Sequence, residues 1–401
     1  MAAVGAYDRA MPSLRRLAGR DRPATVPVEA PLALLDVLRD GPAPLSGEGP
    51  SRAGAHRLRV AVVVPSFRRG SGGHATIATL VRGLEARGHQ LALFLVDQQG
   101  RHPDDDVEHL FESFFGPVGA PVLKGLGSWR GADVVVATGW QTVPEVLALP
   151  DAGARAYLVQ DHEPEFYPAS AERLWAEWSY RQGLHCVCAS PWLAEVVGDR
   201  YGASATAFDL GVDHATYKPL PTHRREDLVL FYARAVTARR AVPLGVLALA
   251  ELHHRRPQVE IAVFGEAGDV AVPFPARQLG VMDPEALAHA YASATVGLCL
   301  SLTNPSLIPT EMMACGLPVV DLASDAMLAT FGAPAGGRGP VLADPDPLAL
   351  CDAMERLLDD LLERAARSRD GMRLVAQRTW ASAAEQVEHG LRAALRAATC
   401  P

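Results

Sequence analysis

The chain has 401 residues, 49% hydrophobic and 21% charged, with a formal net charge of −8. This suits a globular enzyme of two domains and argues against a broad nucleic-acid footprint. No apolar run reaches bilayer-spanning length, the N-terminus lacks a signal-peptide core, and the six cysteines show neither a zinc spacing nor a disulfide pattern, so the expected setting is a reducing cytoplasm.

Residues 1–55 are rich in Ala, Pro, Arg and Gly and read as an arm and linker, partly disordered, with one amphipathic helix in "VEAPLALLDVLRD". Order begins with "LRVAVVVPS", a continuous apolar run of the kind found in a strand buried on both faces. A glycine turn, "SGGH", leads into the helical "ATIATLVRGLEARGH", and "LALFLVD" is the next strand. "ADVVVATGW", "ARAYLVQD" and "HCVCAS" repeat the passage from strand to polar loop, the last followed by the helix "PWLAEVVGDRYG". The turn-rich "LGVDHATYKPLPTHRRED" then interrupts the pattern, and the cycle restarts. "LVLFYAR", "VEIAVFGE", "TVGLCLSL" and "PVVDL" read as strands, separated by the helices "PLGVLALAELHHRRP", "DPEALAHAYASA" and Thr310–Cys315. Residues 347–378 are helical throughout, and the tail "WASAAEQVEHGLRAALRAA" is amphipathic. Two β/α blocks around a linker predict an α/β protein of two doubly wound, Rossmann-like domains facing across a cleft. The expected boundaries are 56–218 for the first domain, 219–378 for the second, and 379–401 for a terminal helix.

In such sheets ligands bind beyond the carboxyl ends of the strands, so the loops there are the places to look. In "SGGH", Ser71, Gly72 and Gly73 bring backbone amides to a helix start, where a phosphate or sugar can approach; a plain tight turn explains them equally well. The spacing is neither GxGxxG nor GxxxxGK[ST]. Arg234 directly follows a strand, and Arg239 lies five residues on. Two guanidinium groups can clamp a diphosphate leaving group, whereas the adjacent Arg240 reads equally as surface. Glu311 opens a short helix that Gly316 and Pro318 close. Its carboxylate can accept hydrogen bonds from the vicinal hydroxyls of a ribose, or it can serve as an acid on a helix dipole. In "VQDHEPEFYP", Asp161 and Glu163 can bind sugar hydroxyls or cap the following helix. In "ATGWQT", Trp140 and Gln141 can wall an acceptor, although tryptophan is also a common core residue. The acidic run Asp104, Asp105 and Asp106 reads as solvent-facing, and no metal site is expected.

Taken together, these loops resemble the nucleotide-binding half of retaining, GT-B-fold family-4 glycosyltransferases. The shared pattern is a post-strand Arg, a basic residue five positions on, and an acid leading a small-residue helix into GxPVV, here Arg234, Arg239 and "EMMACGLPVV". More narrowly, residues 57–397 look like the bacterial rhamnosyltransferases of S-layer and O-polysaccharide assembly. The resemblance implies that Arg234, Arg239 and Glu311 form the catalytic set. Ser71, Gly72, Gly73, Gly265, Val281, Thr303, Asn304 and Ser306 would meet the donor, and His74, Trp140, Gln141, Asp161 and Glu163 the acceptor. It further implies no cofactor, a dTDP-rhamnose-like nucleotide sugar as donor, a glycan or small hydroxyl compound as acceptor, and peripheral membrane association through a lipid-linked acceptor. It also places the terminal helix back on the first domain. This sequence departs from the pattern at Thr303, where many relatives carry an acid, which puts the usual donor-sugar contact in question. The alternatives are a nucleotide-sugar 2-epimerase of the same fold and a catalytically inactive glycan-binding scaffold. A nicotinamide dehydrogenase ranks behind both because the dinucleotide fingerprint is missing.

Overall fold

The computed structural model describes residues 31–98, 100–102, 106–332 and 339–398. Residues 1–30 of the expected arm, and Asp104 and Asp105 of the acidic run, lie outside these. Asp106 caps the helix Val107–Phe115 by accepting from the His109 amide.

Two parallel sheets carry the chain. The first contains β1 (Arg59–Pro65), β2 (Gln90–Val96), β3 (Val122–Lys124), β4 (Ala132–Ala137), β5 (Ala152–Val159), β6 (His185–Cys188) and β7 (Ala205–Ala207), in the order β3-β2-β1-β4-β5-β6-β7. The second contains β8 (Leu228–Tyr232), β9 (Glu260–Phe264), β10 (Arg277–Gln278), β11 (Val296–Leu298), β12 (Val319–Leu322) and β13 (Val341–Ala343), in the order β10-β9-β8-β11-β12-β13. The central strands β1, β4, β8 and β11 are buried along nearly their whole length, because helices cover both faces. Each sheet reverses its strand order between its first strand and a later neighbour, β1 with β4 and β8 with β11. The loops after these strands therefore flank a crevice in each half, and they are the loops that carry Ser71, Trp140, Arg234 and Thr303.

Residues 41–57 are packed rather than trailing. Arg155 donates to the Ala43 carbonyl at 2.7 Å, and Arg52 pairs with the buried Asp133 at 3.0 Å. The terminal helix Trp380–Ala397 leaves the second half and lies on the Gly72–Ala86 helix and on β5 and β6. Its close approach requires Gly83, where a Cβ would stand 2.6 Å from that of Ala384. Glu388 of this helix holds Arg87 at 2.5 Å and Arg392 at 2.7 Å, and these partners keep its carboxyl down at about 2. The chain crosses between halves where Val212 and Thr379 form an isolated parallel bridge.

Candidate active site

The loop after β1 is anchored by Phe67 and Ser66. Phe67 is buried edge-on against Phe111, Phe114 and Phe115, and Ser66 donates to Asp97 at 2.5 Å. The His74 ring spans the turn, with Nδ1 2.8 Å from Ser71 Oγ and Nε2 3.2 Å from the Pro65 carbonyl oxygen. A carbonyl can only accept, so Nε2 carries the hydrogen and the serine hydroxyl donates to Nδ1. Burial pushes the imidazole down to about 4, which keeps it neutral. His74 thus has both nitrogens committed to shaping the loop. The Gly72–Ala86 helix starts directly behind it, with the unpaired first-turn amides that every helix start has.

Facing this loop is the segment after β8. Arg234 Nη1 reaches across to the Gly70 carbonyl oxygen at 3.3 Å. Arg239 Nε forms an ion pair with Asp161 Oδ2 at 3.0 Å, and its guanidinium lies 4.1 Å from the centre of the Phe166 ring. Arg240, expected as readily on the surface, is buried, with Nη1 3.4 Å from Ser301 Oγ. It acts on Asp321, a fully buried acid at the end of β12 that accepts from the Ser301 amide at 2.7 Å and hydroxyl at 3.0 Å. Burial pushes the Asp321 carboxyl up to about 7 against these bonds. Sequence reasoning passed over Asp321. Its signal is a lone acid inside the apolar run "PVVDL".

The loop after β11 joins the halves. Thr303 Oγ1 donates to Asp161 Oδ2, and the Asn304 amide donates to Asp161 Oδ1, each at 3.0 Å. The Asn304 side chain donates to the Gln160 and Ala189 carbonyl oxygens, both at 3.1 Å, and accepts from Ser190 Oγ at 2.7 Å. Asp161 therefore binds Arg239, Thr303 and Asn304 of the opposite half at once. Ser306 caps the Leu307–Ala314 helix by position, without a side-chain cap bond. Glu311 is the fifth residue of that helix rather than near its start. It is buried, with 9% of its surface exposed. Burial, aided by Asp213, raises this carboxyl to about 8.

Gly265 adopts φ +100 and packs against the Tyr232 ring, and its amide donates to the Gly280 carbonyl. Val281 follows and is 65% exposed. On the first half, Trp140 and Glu163, expected to meet an acceptor, sit beneath their loops instead. The Glu163 carboxylate accepts from the Trp140 amide and the Tyr157 hydroxyl, both at 2.8 Å, and the Trp140 indole donates to Tyr167 at 3.0 Å. With their polar atoms used internally and their surfaces buried, both support the loop that carries Asp161. Gln141 stays partly exposed, its carbonyl oxygen held by Gln98 at 3.1 Å. No cluster of potential metal ligands occurs among the described residues.

A family model described as "WsaF, C-terminal domain" matches residues 227–327. The O-antigen biosynthesis protein RfbC of Myxococcus xanthus is 31% identical over 344 residues, which is 82% of this chain and 26% of that protein. The chain thus spans about a quarter of the length of that relative. Among solved structures, the sucrose-phosphate synthase of Thermosynechococcus elongatus superposes with a TM-score of 0.62 at 17% identity, covering 83% of this chain and 98% of its own. Anabaena HepE in complex with UDP-glucose gives 0.63 at 15% identity, covering 84% of this chain and 100% of its own. The chain therefore has the GT-B fold of two Rossmann-like domains.

Proposed function

We propose that this chain is a retaining glycosyltransferase that moves L-rhamnose or another 6-deoxyhexose from a nucleotide diphosphate to a hydroxyl of a glycan. The observation that carries the reading is Glu311, a buried acid on the helix after β11, the strand whose following loop flanks the crevice of the second half. Taking a carboxyl out of water is costly, and a nucleoside sugar hydroxyl would give it a hydrogen-bond donor. Arg234 and Arg239 follow a central strand of the same half and would take the diphosphate. The Ser71–Gly73 helix start would approach it from the other half.

In this reading the leaving diphosphate departs on the face that the acceptor enters, and one of its oxygens takes the proton of the incoming hydroxyl. The protein orients the acceptor and stabilises the negative charge on the leaving group. Arg239, paired with Asp161 at 3.0 Å, would turn to the diphosphate and leave Asp161 free to face the sugars. The likeness to RfbC supports a role in O-antigen or related polysaccharide assembly on the cytoplasmic side, with peripheral attachment through a lipid-linked acceptor. No helix among the described residues is long and apolar enough to cross a membrane. The resemblance to bacterial rhamnosyltransferases supports a donor lacking a 6-hydroxyl, foremost dTDP-L-rhamnose.

The test is incubation with a panel of nucleotide sugars, with and without glycan acceptors, reading nucleotide release and product mass. Release of dTDP from dTDP-rhamnose together with a rhamnosylated product is expected. A higher kcat/KM for UDP-glucose would overturn the donor, and no release from any donor would overturn the activity.

A further inference from the structure

The turn Glu163–Phe166 of the first half meets the turn Ala238–Arg240 of the second. At this contact the Arg239 guanidinium carbon stands over the Phe166 ring, 4.1 Å from its centre, while Nε pairs with Asp161 Oδ2 at 3.0 Å. At that distance the negative face of the ring attracts the cation. The ring is itself carried by an anchored turn. Glu163, at the start of the turn, accepts from the Trp140 amide and the Tyr157 hydroxyl, both at 2.8 Å. Tyr167, next to Phe166, accepts from the Trp140 indole at 3.0 Å. Glu165 pairs with His162 Nδ1 at 3.1 Å.

A long arginine side chain loses rotamer freedom when it binds a ligand, and a contact that already orders it lowers that cost. A carboxylate orders it by occupying N–H donors. A ring face orders it without using any of the five in-plane donors, which stay available to anionic oxygens. The guanidinium can also exchange Asp161 for phosphate oxygens by turning in its own plane, with the contact to the ring kept.

We propose that Phe166 is a positioning residue of the diphosphate site, whose ring face holds the Arg239 guanidinium so that its in-plane N–H groups are presented to the diphosphate. This rests on the reading of Arg239 as a diphosphate ligand. It makes nucleotide affinity in the second half depend on a side chain of the first.

Titration calorimetry of the full chain with UDP, dTDP, GDP and ADP identifies the diphosphate bound most tightly. Its nucleoside, measured by displacement of the diphosphate, is the control. Phe166→Leu keeps apolar bulk and removes the ring. It should weaken the diphosphate about fivefold, the size of a cation–π contact at a partly buried site, and leave the nucleoside unchanged. Phe166→Met should repeat this, and Phe166→Tyr, which keeps a ring, should bind as the wild type does. In an Arg239→Ala background, Phe166→Leu should cause no further loss, because the group it positions is gone. Wild-type affinity in Phe166→Leu and Phe166→Met, the same fivefold loss without Arg239, a nucleoside weakened as much as the diphosphate, or a Phe166→Tyr protein as weak as Phe166→Leu would each overturn the proposal. Arg239→Ala alone tests the underlying reading. If it binds the diphosphate as the wild type does, or if the wild type binds none of the four, the assignment of Arg239 falls. If it weakens binding while Phe166→Leu does not, only the role of Phe166 falls.

Discussion

Thr303→Glu restores the acid that many relatives carry, and the structure predicts what it costs here. Thr303 is buried, and its hydroxyl lies 3.0 Å from Asp161 Oδ2. A glutamate at that position sets a second carboxylate against Asp161 from across the cleft. Two like charges about 4 Å apart at an effective dielectric of 20 repel by about 4 kcal/mol. The new acid can escape by taking up a proton, which costs about 1.4 kcal/mol for each pH unit above its ordinary pKa and so caps the penalty near 3–4 kcal/mol at pH 7. Thr303→Val loses only the hydrogen bond, about 1.5–3 kcal/mol for a bond to a charged acceptor. Thermal denaturation should therefore rank wild type above Thr303→Val and Thr303→Glu lowest at pH 7, with the gap between the variants closing toward pH 5. Adding Asp161→Asn should recover most of the Thr303→Glu loss, because the glutamate then faces an amide and Arg239. The same substitution should alter the ranking of donor sugars. Equal stability of the two single variants from pH 5 to 8, or no recovery with Asp161→Asn, would refute the claim that Asp161 occupies the space the lost acid would need.

Arg234→Ala and Arg239→Ala should each lower kcat/KM more than tenfold, since each removes a charge-assisted contact of roughly 1.5–3 kcal/mol. Arg240→Ala should instead lower the melting temperature first, because Arg240 is buried beside Ser301 and Asp321; if all three variants behave alike in kinetics, the clamp is misassigned. Activity should survive EDTA, because the arginine pair supplies the charge that a metal would otherwise provide; loss with EDTA and recovery with Mg²⁺ or Mn²⁺ would contradict this. Folding stability should fall from about pH 5 to pH 8. Glu163 and Asp321 are raised to about 7 and Glu311 to about 8, so the folded state holds these protons more tightly than the unfolded chain, which gives them up as the pH rises through the ordinary carboxylate range. Glu388, depressed to about 2, works the other way: its contribution is present above the ordinary range and lost as the pH drops toward 2. A melting temperature that climbs between pH 5.5 and 8, or Glu311→Gln leaving the alkaline slope unchanged, would contradict this assignment.

The central strands were legible in the sequence because a strand covered on both faces must be apolar throughout, and "LRVAVVVPS" and "LVLFYAR" are continuous runs. Once those strands are placed, the loops at their carboxyl ends follow, which is why Ser71 and Arg234 could be singled out before any geometry, whereas Thr303 stood out only against the family resemblance. The short strands β3, β7, β10 and β13 were missed. With two or three residues each, they exist only because a neighbouring strand offers its edge. The Leu307–Ala314 helix begins three residues earlier than expected, since Pro309 was read as a break although proline is tolerated in a first turn, where its missing N–H has no intrahelical partner. Arg240 carries the same charge as Arg239, and only the fold turns one to the cleft and the other to Asp321.

The contacts least legible in the sequence are those made across the cleft. Asp161 and Thr303 are 142 positions apart and belong to different sheets, so no local pattern couples them. Read alone, Thr303 looks like a lost acid. In the fold, an acid does stand at that point, supplied by Asp161 from the opposite half and held by Arg239, Thr303 and the Asn304 amide. The substitution thus has a physical reason that needs no loss of activity. A carboxylate contributed by one half of a cleft requires a donor from the other, and threonine is a donor where glutamate or aspartate is not. In the proposed reading Arg239 would leave Asp161 for the diphosphate of a donor. A donor that draws Arg239 away releases one of the three ties that Asp161 makes to the second half.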